Sequence, residues 1–195
     1  MTPLLLIRHG ATAWNDSRRM QGRADIGLSA AGRAEVLRWR LPAGWDGARW
    51  LTSPLRRARE TAALLTAGPV ALEPRLIEMD WGAWEGRSKA ELRAAAAEEL
   101  AAQEALGLDF RPPGGESPRE VGARLADLAS ELAAAPTPVV GLTHQGVIRA
   151  ALALATGWDM RGPPPLRLRR DQALALVCRT DGGLVLQPPP LPLVA

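Results

Sequence analysis

Short apolar runs and longer amphipathic stretches alternate along the chain. Residues 2–7 and 139–142 are continuously apolar over the length of one strand, a pattern typical of strands buried on both faces. Between such runs apolar residues recur at helical spacing, and serines such as Ser29 and Ser117 stand where they can cap a helix. The predicted strands are 2–7, 50–52, 70–72, 139–142, 173–177 and 184–186, and the predicted helices are 29–41, 53–66, 88–106, 117–134 and 147–156. This alternation predicts an α/β layer architecture with a mostly parallel sheet.

Length and cysteine content limit the class of protein. A chain of 195 residues fits a single domain, which we expect to span residues 1–195. The one cysteine, Cys178, cannot form an intramolecular disulfide, so a disulfide scaffold is excluded. The apolar run before Arg8 is too short for the core of a signal peptide, and residues 150–155 fall far below the roughly 20 apolar residues of a membrane span. We therefore expect a cytoplasmic protein without a membrane partner.

The cationic residues are almost all arginines. The chain has 24 Lys and Arg residues, of which one is Lys89, and its formal net charge is +3. Arginine matches phosphate oxygens well, although a general compositional habit explains most of these residues equally well. Modules that bind nucleic acids cluster their cations and interleave them with aromatic residues, whereas here acids and arginines are mixed along the whole chain. No nucleic-acid partner is expected.

Both histidines occupy the same kind of position. His9 and His144 each follow a predicted buried strand and lie close to a glycine, so two adjacent parallel strands would bring them together. A metal site is not indicated, because zinc needs three or four ligands and the neighbouring Arg8 would repel a cation. A neutral imidazole nucleophile among arginines fits phosphoryl transfer.

Five segments resemble, in order, the histidine phosphatase superfamily, which includes the cofactor-dependent phosphoglycerate mutases. They are residues 6–15 (LIRHGATAWN), residues 21–32 with Gln21, Gly22, Asp25, Leu28, Ser29 and Gly32, residues 53–62 (SPLRRARETA), residues 76–86 (LIEMDWGAWEG) and residues 143–146 (THQG). The resemblance implies a three-layer α/β/α sandwich of the phosphoglycerate mutase type, with no metal and no cofactor.

The resemblance also implies catalytic roles. His9 would attack phosphorus and carry the phosphoryl group, and its other ring nitrogen would donate to a backbone carbonyl, which keeps the attacking nitrogen unprotonated. Arg8, Arg57 and His144 would hold the phosphoryl oxygens. Arg56 is the alternative to Arg57, but adjacent helical residues diverge by about 100° and the motif favours Arg57 as the inward-facing one.

Glu78 is the implied proton donor to the leaving oxygen, and later the base that activates water. This role requires a partly desolvated carboxyl with a raised pKa, for which Trp81 and Trp84 could supply apolar walls. Asp80 and Glu85 compete for the role, and the position in the motif favours Glu78.

The loop after the first strand must fold over the phosphate, so its polar residues are candidates for the substrate side. The predicted substrate-binding residues are Thr12, Asn15, Gln21, Gly22 and the backbone at Gln145. A capping or turn role is the alternative for Thr12 and Asn15. Glu116, in a segment that also resembles the family, is interpreted as structural.

Within the family, the segment around Glu78 looks like the phosphatase branch. The Asn-Glu-Arg-x-Tyr-Gly segment that is usual in the mutases is absent. Where the mutases have Asn-Ser-Leu-Arg after the glycine of the second histidine, this chain has Val147, Ile148 and Arg149. The prediction is a phosphomonoesterase acting on a small phosphorylated metabolite. Mutase-type phosphoryl transfer and a non-catalytic phosphate-binding module are the alternatives. The substrate stays open between α-ribazole 5′-phosphate and other small esters, and a homodimer is left open.

Overall fold

A sheet of seven strands forms the centre of the computed structural model, which describes residues 1–193. The strands are β1 (Thr2–Arg8), β2 (Arg49–Thr52), β3 (Val70–Leu72), β4 (Val139–Thr143), β5 (Gln172–Cys178), β6 (Leu184–Leu186) and β7 (Leu191–Pro192). Their order is β3-β2-β4-β1-β5-β6, and β7 also pairs with β5. The four strands from β3 to β1 are parallel, whereas β5 runs antiparallel to β1, β6 and β7. The predicted α/β architecture is confirmed, with the antiparallel pairs confined to the β5 side.

Helices cover both faces of the sheet. They are α1 (Ala13–Asp16), α2 (Ala30–Val36), α3 (Arg56–Leu65), α4 (Lys89–Ala105), α5 (Pro118–Ala133) and α6 (Gln145–Thr156). Successive side chains of β1 point to opposite faces, so Leu4 and Leu6 pack in the core with α5 and α6, while Leu5 and Ile7 pack with α2 and α3. Cys178 is buried in the first of these cores. Across residues 1–193 we find no helix with the length and apolar character needed to cross a membrane.

Three predicted helix boundaries are wrong. Helix α6 begins at Gln145, two residues before the predicted start at 147, and tertiary hydrogen bonds accompany the other two differences. The helix predicted over 29–41 ends at Val36, because the backbone N–H of Arg40 bonds to the carbonyl of Leu193 rather than to a carbonyl of its own helix. The helix predicted from residue 53 begins at Arg56. Ser53 directly follows β2 and continues its pairing with β4, because its N–H donates to the Leu142 carbonyl at 2.9 Å.

One α-helix and one strand of residues 1–193 were not predicted, nor were the three single-turn 3-10 helices Pro74–Leu76, Gly82–Trp84 and Gly107–Asp109. The one-turn helix α1 is held by a capping box at Thr12. Strand β7 lies in the proline-rich tail, where Leu191 pairs with Ala173 at the edge of the sheet, a position that tolerates proline.

Candidate active site

The two histidines meet at the carboxyl ends of neighbouring parallel strands. Arg8 of β1 lies opposite Thr143 of β4, so His9 and His144 are the next residues on each strand. The His9 N–H donates to the Thr143 carbonyl at 3.0 Å, and the two ring centroids are 5.1 Å apart. Both side chains are buried. The predicted juxtaposition of the histidines is confirmed.

His9 is arranged as a neutral nucleophile. Its Nδ1 lies 2.7 Å from the Gly10 carbonyl oxygen. Since a carbonyl only accepts, Nδ1 carries the proton and Nε2 keeps its lone pair. Burial, followed by the cations of Arg57 and Arg8, holds the pKa of His9 well below its ordinary value. The imidazole is therefore uncharged at neutral pH, with its one proton on Nδ1.

His144 belongs to a buried hydrogen-bond chain. Arg57 donates from Nε to His144 Nδ1 at 3.2 Å, so His144 carries its proton on Nε2, which lies 2.7 Å from Ser53 Oγ. Burial and the nearby Arg57 hold the pKa of His144 well below its ordinary value. Ser53 was not among the predicted site residues. It follows β2 directly, and the rule that located His9 at the end of β1 would have found it too.

Arg57 is the inward-facing arginine. It is fully buried, whereas Arg56 is exposed and pairs with Glu60 at 2.7 Å. The two terminal nitrogens of Arg57 donate to the carbonyls of Gly22 and Ala24 at 2.7 and 2.8 Å. The guanidinium thus ties the loop after α1 to the histidine pair, and the second N–H of each terminal nitrogen remains for an anion.

Two further cations lie beside His9. Arg8 is half-buried, its buried Nε has no hydrogen-bond partner, and burial together with the charge of Arg170 lowers its pKa to about 10. Arg170 donates from Nη1 to the His9 carbonyl at 3.3 Å and to Asn15 Oδ1 at 3.4 Å. Sequence reasoning missed Arg170, because only the antiparallel pairing of β5 with β1 brings it here. Within residues 1–193, Arg8, Arg57 and Arg170 form no ion pair, and cations gathered in this way attract an anion.

Glu78 supplies a buried carboxyl at the start of α6. It accepts hydrogen bonds from the N–H of Met79 at 2.8 Å and from the N–H of Gly146 at 3.1 Å. Burial raises the pKa of Glu78, outweighing the two backbone hydrogen bonds and the cations Arg57 and Arg8, which lower it. A raised pKa is what a proton donor needs near neutral pH.

The competing acids have structural partners instead. Glu85 accepts from the N–H groups of Arg23 and Ala24 at 2.5 and 3.1 Å, and Asp80 accepts from the N–H of Gly82 at 2.8 Å. Glu116 accepts from Arg124 Nε at 2.9 Å. These contacts shape the loops around the site.

The two predicted apolar walls contact the same ring, because the centroids of Trp81 and Trp84 lie 5.6 and 5.7 Å from that of Phe110. Trp81 lines a cavity that also includes Met79 and Gly146, the residues bonded to Glu78. Trp84 is buried in a small cluster with Leu92 and Leu100.

The predicted substrate-side residues surround the site in different ways. Thr12 and Asn15 form the capping box of α1, with the Thr12 N–H donating to Asn15 Oδ1 at 3.0 Å, which is the capping alternative. Gln21 is buried and its Oε1 has no partner. Gly22 adopts φ +49°, and a side chain there would collide with a neighbouring carboxylate. Gln145 lines the cavity beside Glu78. Contact of these residues with a substrate stays a prediction.

The arrangement defines a class of enzyme. A neutral imidazole with a free Nε2 lies among arginines, next to a carboxyl with a raised pKa, and this set can transfer a phosphoryl group through histidine. Residues 1–193 contain no group of three or more His, Cys, Asp or Glu side chains placed to hold a metal ion.

Comparison with known proteins names the family. The family model described as histidine phosphatase superfamily (branch 1) matches residues 4–187, and the chain belongs to this superfamily. It is 37% identical over 183 residues to a glucosyl-3-phosphoglycerate phosphatase of Mycolicibacterium vanbaalenii, covering 84% of this chain and 78% of that protein. It is also 33% identical over 168 residues to a 2,3-bisphosphoglycerate-dependent phosphoglycerate mutase 2 of Gloeobacter violaceus, covering 78% and 74%.

Solved structures agree with the sequence relatives. A mycobacterial glucosyl-3-phosphoglycerate phosphatase in complex with VO3 superimposes with a TM-score of 0.73 at 32% identity, over 90% of this chain and 92% of that one. The chain is thus a phosphomonoesterase of the histidine phosphatase family, and the mutase alternative is weaker.

Proposed function

We propose that the protein hydrolyses the phosphomonoester of a small metabolite with His9 as nucleophile and Glu78 as proton donor. The observation that carries this assignment is the free, unprotonated Nε2 of His9 among the arginines Arg8, Arg57 and Arg170, near a buried carboxyl. A metal ion is not part of the proposal, because the cations that would neutralise the phosphoryl oxygens are side chains.

In the first step, His9 Nε2 attacks phosphorus and the ester P–O bond breaks. Glu78 gives its proton to the departing alkoxide, which leaves as the alcohol. Arg8 and Arg57 donate to the phosphoryl oxygens, and His144 lies near enough to His9 to contact the transferred group. The product of this step is a phosphohistidine and an ionised Glu78.

In the second step, the Glu78 carboxylate takes a proton from water as the water oxygen attacks phosphorus. The N–P bond breaks, inorganic phosphate leaves, and His9 Nε2 recovers its lone pair. Glu78 ends protonated, ready for the next turnover.

The relatives indicate the class of substrate but not the particular ester. Relatives are named as phosphatases of glucosyl-3-phosphoglycerate, so this ester is a candidate beside α-ribazole 5′-phosphate and sugar phosphates. The cytoplasmic location, the homodimer and the absence of a nucleic-acid partner stay predictions.

Release of inorganic phosphate tests the proposal. The panel contains p-nitrophenyl phosphate, glucosyl-3-phosphoglycerate, α-ribazole 5′-phosphate, 3-phosphoglycerate and nucleoside monophosphates, and His9→Ala is the control. Release by the wild type and none by the variant supports hydrolysis. Conversion of 3-phosphoglycerate to its 2-isomer without phosphate release would instead support the mutase, and no reaction with any ester would support a binding module.

A further inference from the structure

The backbone that carries Glu78 is irregular. Residues 77–81 connect two single-turn 3-10 helices, Pro74–Leu76 and Gly82–Trp84. A catalytic group has to be held within about 0.5 Å of its productive position, and sites on loops reach this precision less readily than sites on helices or strands. The rigidity of this stretch therefore has to come from contacts with other parts of the chain.

Arg124 of α5 holds the backbone directly before the proposed proton donor. Its Nη2 donates to the Ile77 carbonyl at 2.7 Å, and its Nη1 donates to the Arg75 carbonyl. The Leu76 carbonyl between them accepts from Thr143 Oγ1 at 2.8 Å. Three successive carbonyls thus have partners on α5 and β4, the elements that pack in the core.

Glu116 holds the backbone directly after the proposed proton donor. Its N–H donates to the Asp80 carbonyl at 2.9 Å, and its Oε2 accepts from the Asp80 N–H at 3.4 Å. Arg23, which is more exposed, approaches the same Oε2 at 3.5 Å. The backbone of Asp80 is therefore held at both its N–H and its carbonyl.

A two-point ion pair joins these holding residues to each other. Arg124 donates from Nε to Glu116 Oε1 at 2.9 Å and from Nη2 to Glu116 Oε2 at 3.1 Å. Only 17% of the Arg124 side chain and 13% of the Glu116 side chain are exposed, so water competes weakly for the contact. Two parallel hydrogen bonds also fix the relative orientation of the groups. The contacts before and after Glu78 are thereby coupled into one unit.

We propose that Arg124 and Glu116 are positioning residues for the proton donor, because their ion pair clamps the backbone on both sides of Glu78 and so sets where its carboxyl lies. The carboxyl accepts from the N–H groups of Met79 and Gly146 at 2.8 and 3.1 Å, and these bonds require a fixed backbone at Glu78. This inference rests on the proposed function, which makes Glu78 the acid.

Two esters with different leaving groups test the assignment. The alkoxide of glycerol 3-phosphate needs a proton from Glu78, whereas p-nitrophenolate leaves without one. The measurement is kcat/KM for both esters with the wild type, Arg124→Gln, Arg124→Lys and Glu116→Gln, each alone and combined with Glu78→Gln. The ratio of the two values does not depend on the fraction of enzyme that is folded, because both values scale with that fraction. A loss of stability on breaking the ion pair therefore leaves the ratio interpretable.

Arg119→Gln is the matched control. Arg119 also lies in α5 and forms a two-point ion pair, with Asp109 at 2.7 and 2.8 Å, but both of its partners are exposed. The substitution removes the same charge and the same kind of contact from the same helix. It should leave both kcat/KM values within about twofold of the wild type.

Arg124→Gln is expected to lower kcat/KM for glycerol 3-phosphate by about 10- to 100-fold and for p-nitrophenyl phosphate by less than about fivefold. Glu116→Gln should give a smaller loss with the same selectivity. Arg124→Lys should recover only part of the loss, because an ammonium keeps the charge but not the planar fork. In the Glu78→Gln background, Arg124→Gln should change the value for glycerol 3-phosphate by less than about twofold, because no acid remains to be positioned.

Equal losses for both esters in Arg124→Gln would overturn the assignment. They would mean that Arg124 acts on the whole site, for example through its charge, which reaches His144. Independent, additive effects of Arg124→Gln and Glu78→Gln on glycerol 3-phosphate would overturn it as well.

A crystal structure separates a failure of this inference from a failure of the proposed function. If Glu78→Gln lowers both esters equally, or if the wild type releases phosphate from neither, the acid role of Glu78 is refuted. The structures of Arg124→Gln and Glu116→Gln then decide the positioning role. A Glu78 carboxylate displaced by about 1 Å from the Gly146 N–H in either variant supports it. A carboxylate that keeps its place in both variants overturns it.

Discussion

Gly146 lies where a methyl group would reach the proposed acid. A Cβ built on Gly146 would stand 2.3 Å from Glu78 Oε1 and 3.2 Å from the Glu78 carboxyl carbon, whereas ordinary contacts begin at 3.4 Å. The Gly146→Ala substitution therefore has to move the carboxylate by about 1 Å, and it also disturbs the hydrogen bond from the Gly146 N–H.

The expected loss follows from this displacement. A shift of about 1 Å in a catalytic group costs on the order of 100-fold, and a general acid contributes about 10²- to 10⁴-fold. We expect kcat/KM for an alkyl phosphate to fall about 100-fold, which corresponds to about 2.7 kcal/mol. Because p-nitrophenolate leaves without a proton, kcat/KM for p-nitrophenyl phosphate should fall less than about fivefold.

The comparison is made in kcat/KM, which reports the steps up to phosphoryl transfer to His9. The later attack of water also uses Glu78 and would lower kcat for both esters. Gly122→Ala in α5 is the matched control, because its Cβ would meet only Leu154 side-chain atoms at 3.9 Å. This control should keep full activity and gain up to about 1 kcal/mol of stability, as alanine favours the helix.

Two results would refute this reasoning. An equal loss for alkyl and aryl esters in Gly146→Ala would mean that Glu78 does not protonate the leaving group. Unchanged kcat/KM for both esters, in a variant that melts like the wild type, would mean that the position of this carboxylate does not limit the reaction.

Further predictions concern the nucleophile, the acid and the cations. His9→Ala should abolish phosphate release, and wild type incubated with phosphate-labelled substrate and quenched with alkaline detergent should carry a label that is stable in base, lost in acid and missing from the variant. Because Glu78 must be protonated in the first step and its pKa is raised, kcat/KM for an alkyl ester should fall as the pH rises through that pKa, and Glu78→Gln should remove this descending limb. Burial is the main cause of the low pKa of His9, and the charge of Arg170 adds a smaller lowering. Arg170→Gln should therefore move the ascending limb of the pH profile to higher pH, while Arg170→Lys leaves it in place. An unmoved limb in the Gln variant would show a purely structural contact. A chelator should leave the activity unchanged, and a loss restored by a divalent cation would contradict the metal-free mechanism.

Local sequence patterns were sufficient to predict the strands that run through the core. Residues 2–7 and 139–142 form apolar runs, so they could be recognised as buried strands, and each histidine comes two residues after its run. Because helical neighbours point in different directions, only one of Arg56 and Arg57 was expected to face inward, and the resemblance to the family motif indicated Arg57, which is buried. Periodicity and strand ends are properties of neighbouring residues, and the sequence shows them directly.

Contacts between residues far apart in the sequence decided the features that local patterns did not predict. Helix α2 ends early because of a hydrogen bond to Leu193, a partner that no local pattern reveals. Arg170 reaches the His9 carbonyl across 161 positions because β5 pairs with β1. Ser53 bonds to His144 because β2 lies beside β4.

The sequence by itself thus determined the class of chemistry and predicted the nucleophile and the acid, since each of these residues lies in a short segment that resembles the family. The tertiary structure alone decided that Arg170 reaches the His9 carbonyl and that Ser53 bonds to His144. The physical reason is that the order of strands in a sheet depends on contacts between distant residues, and these contacts set the surroundings of the reacting groups.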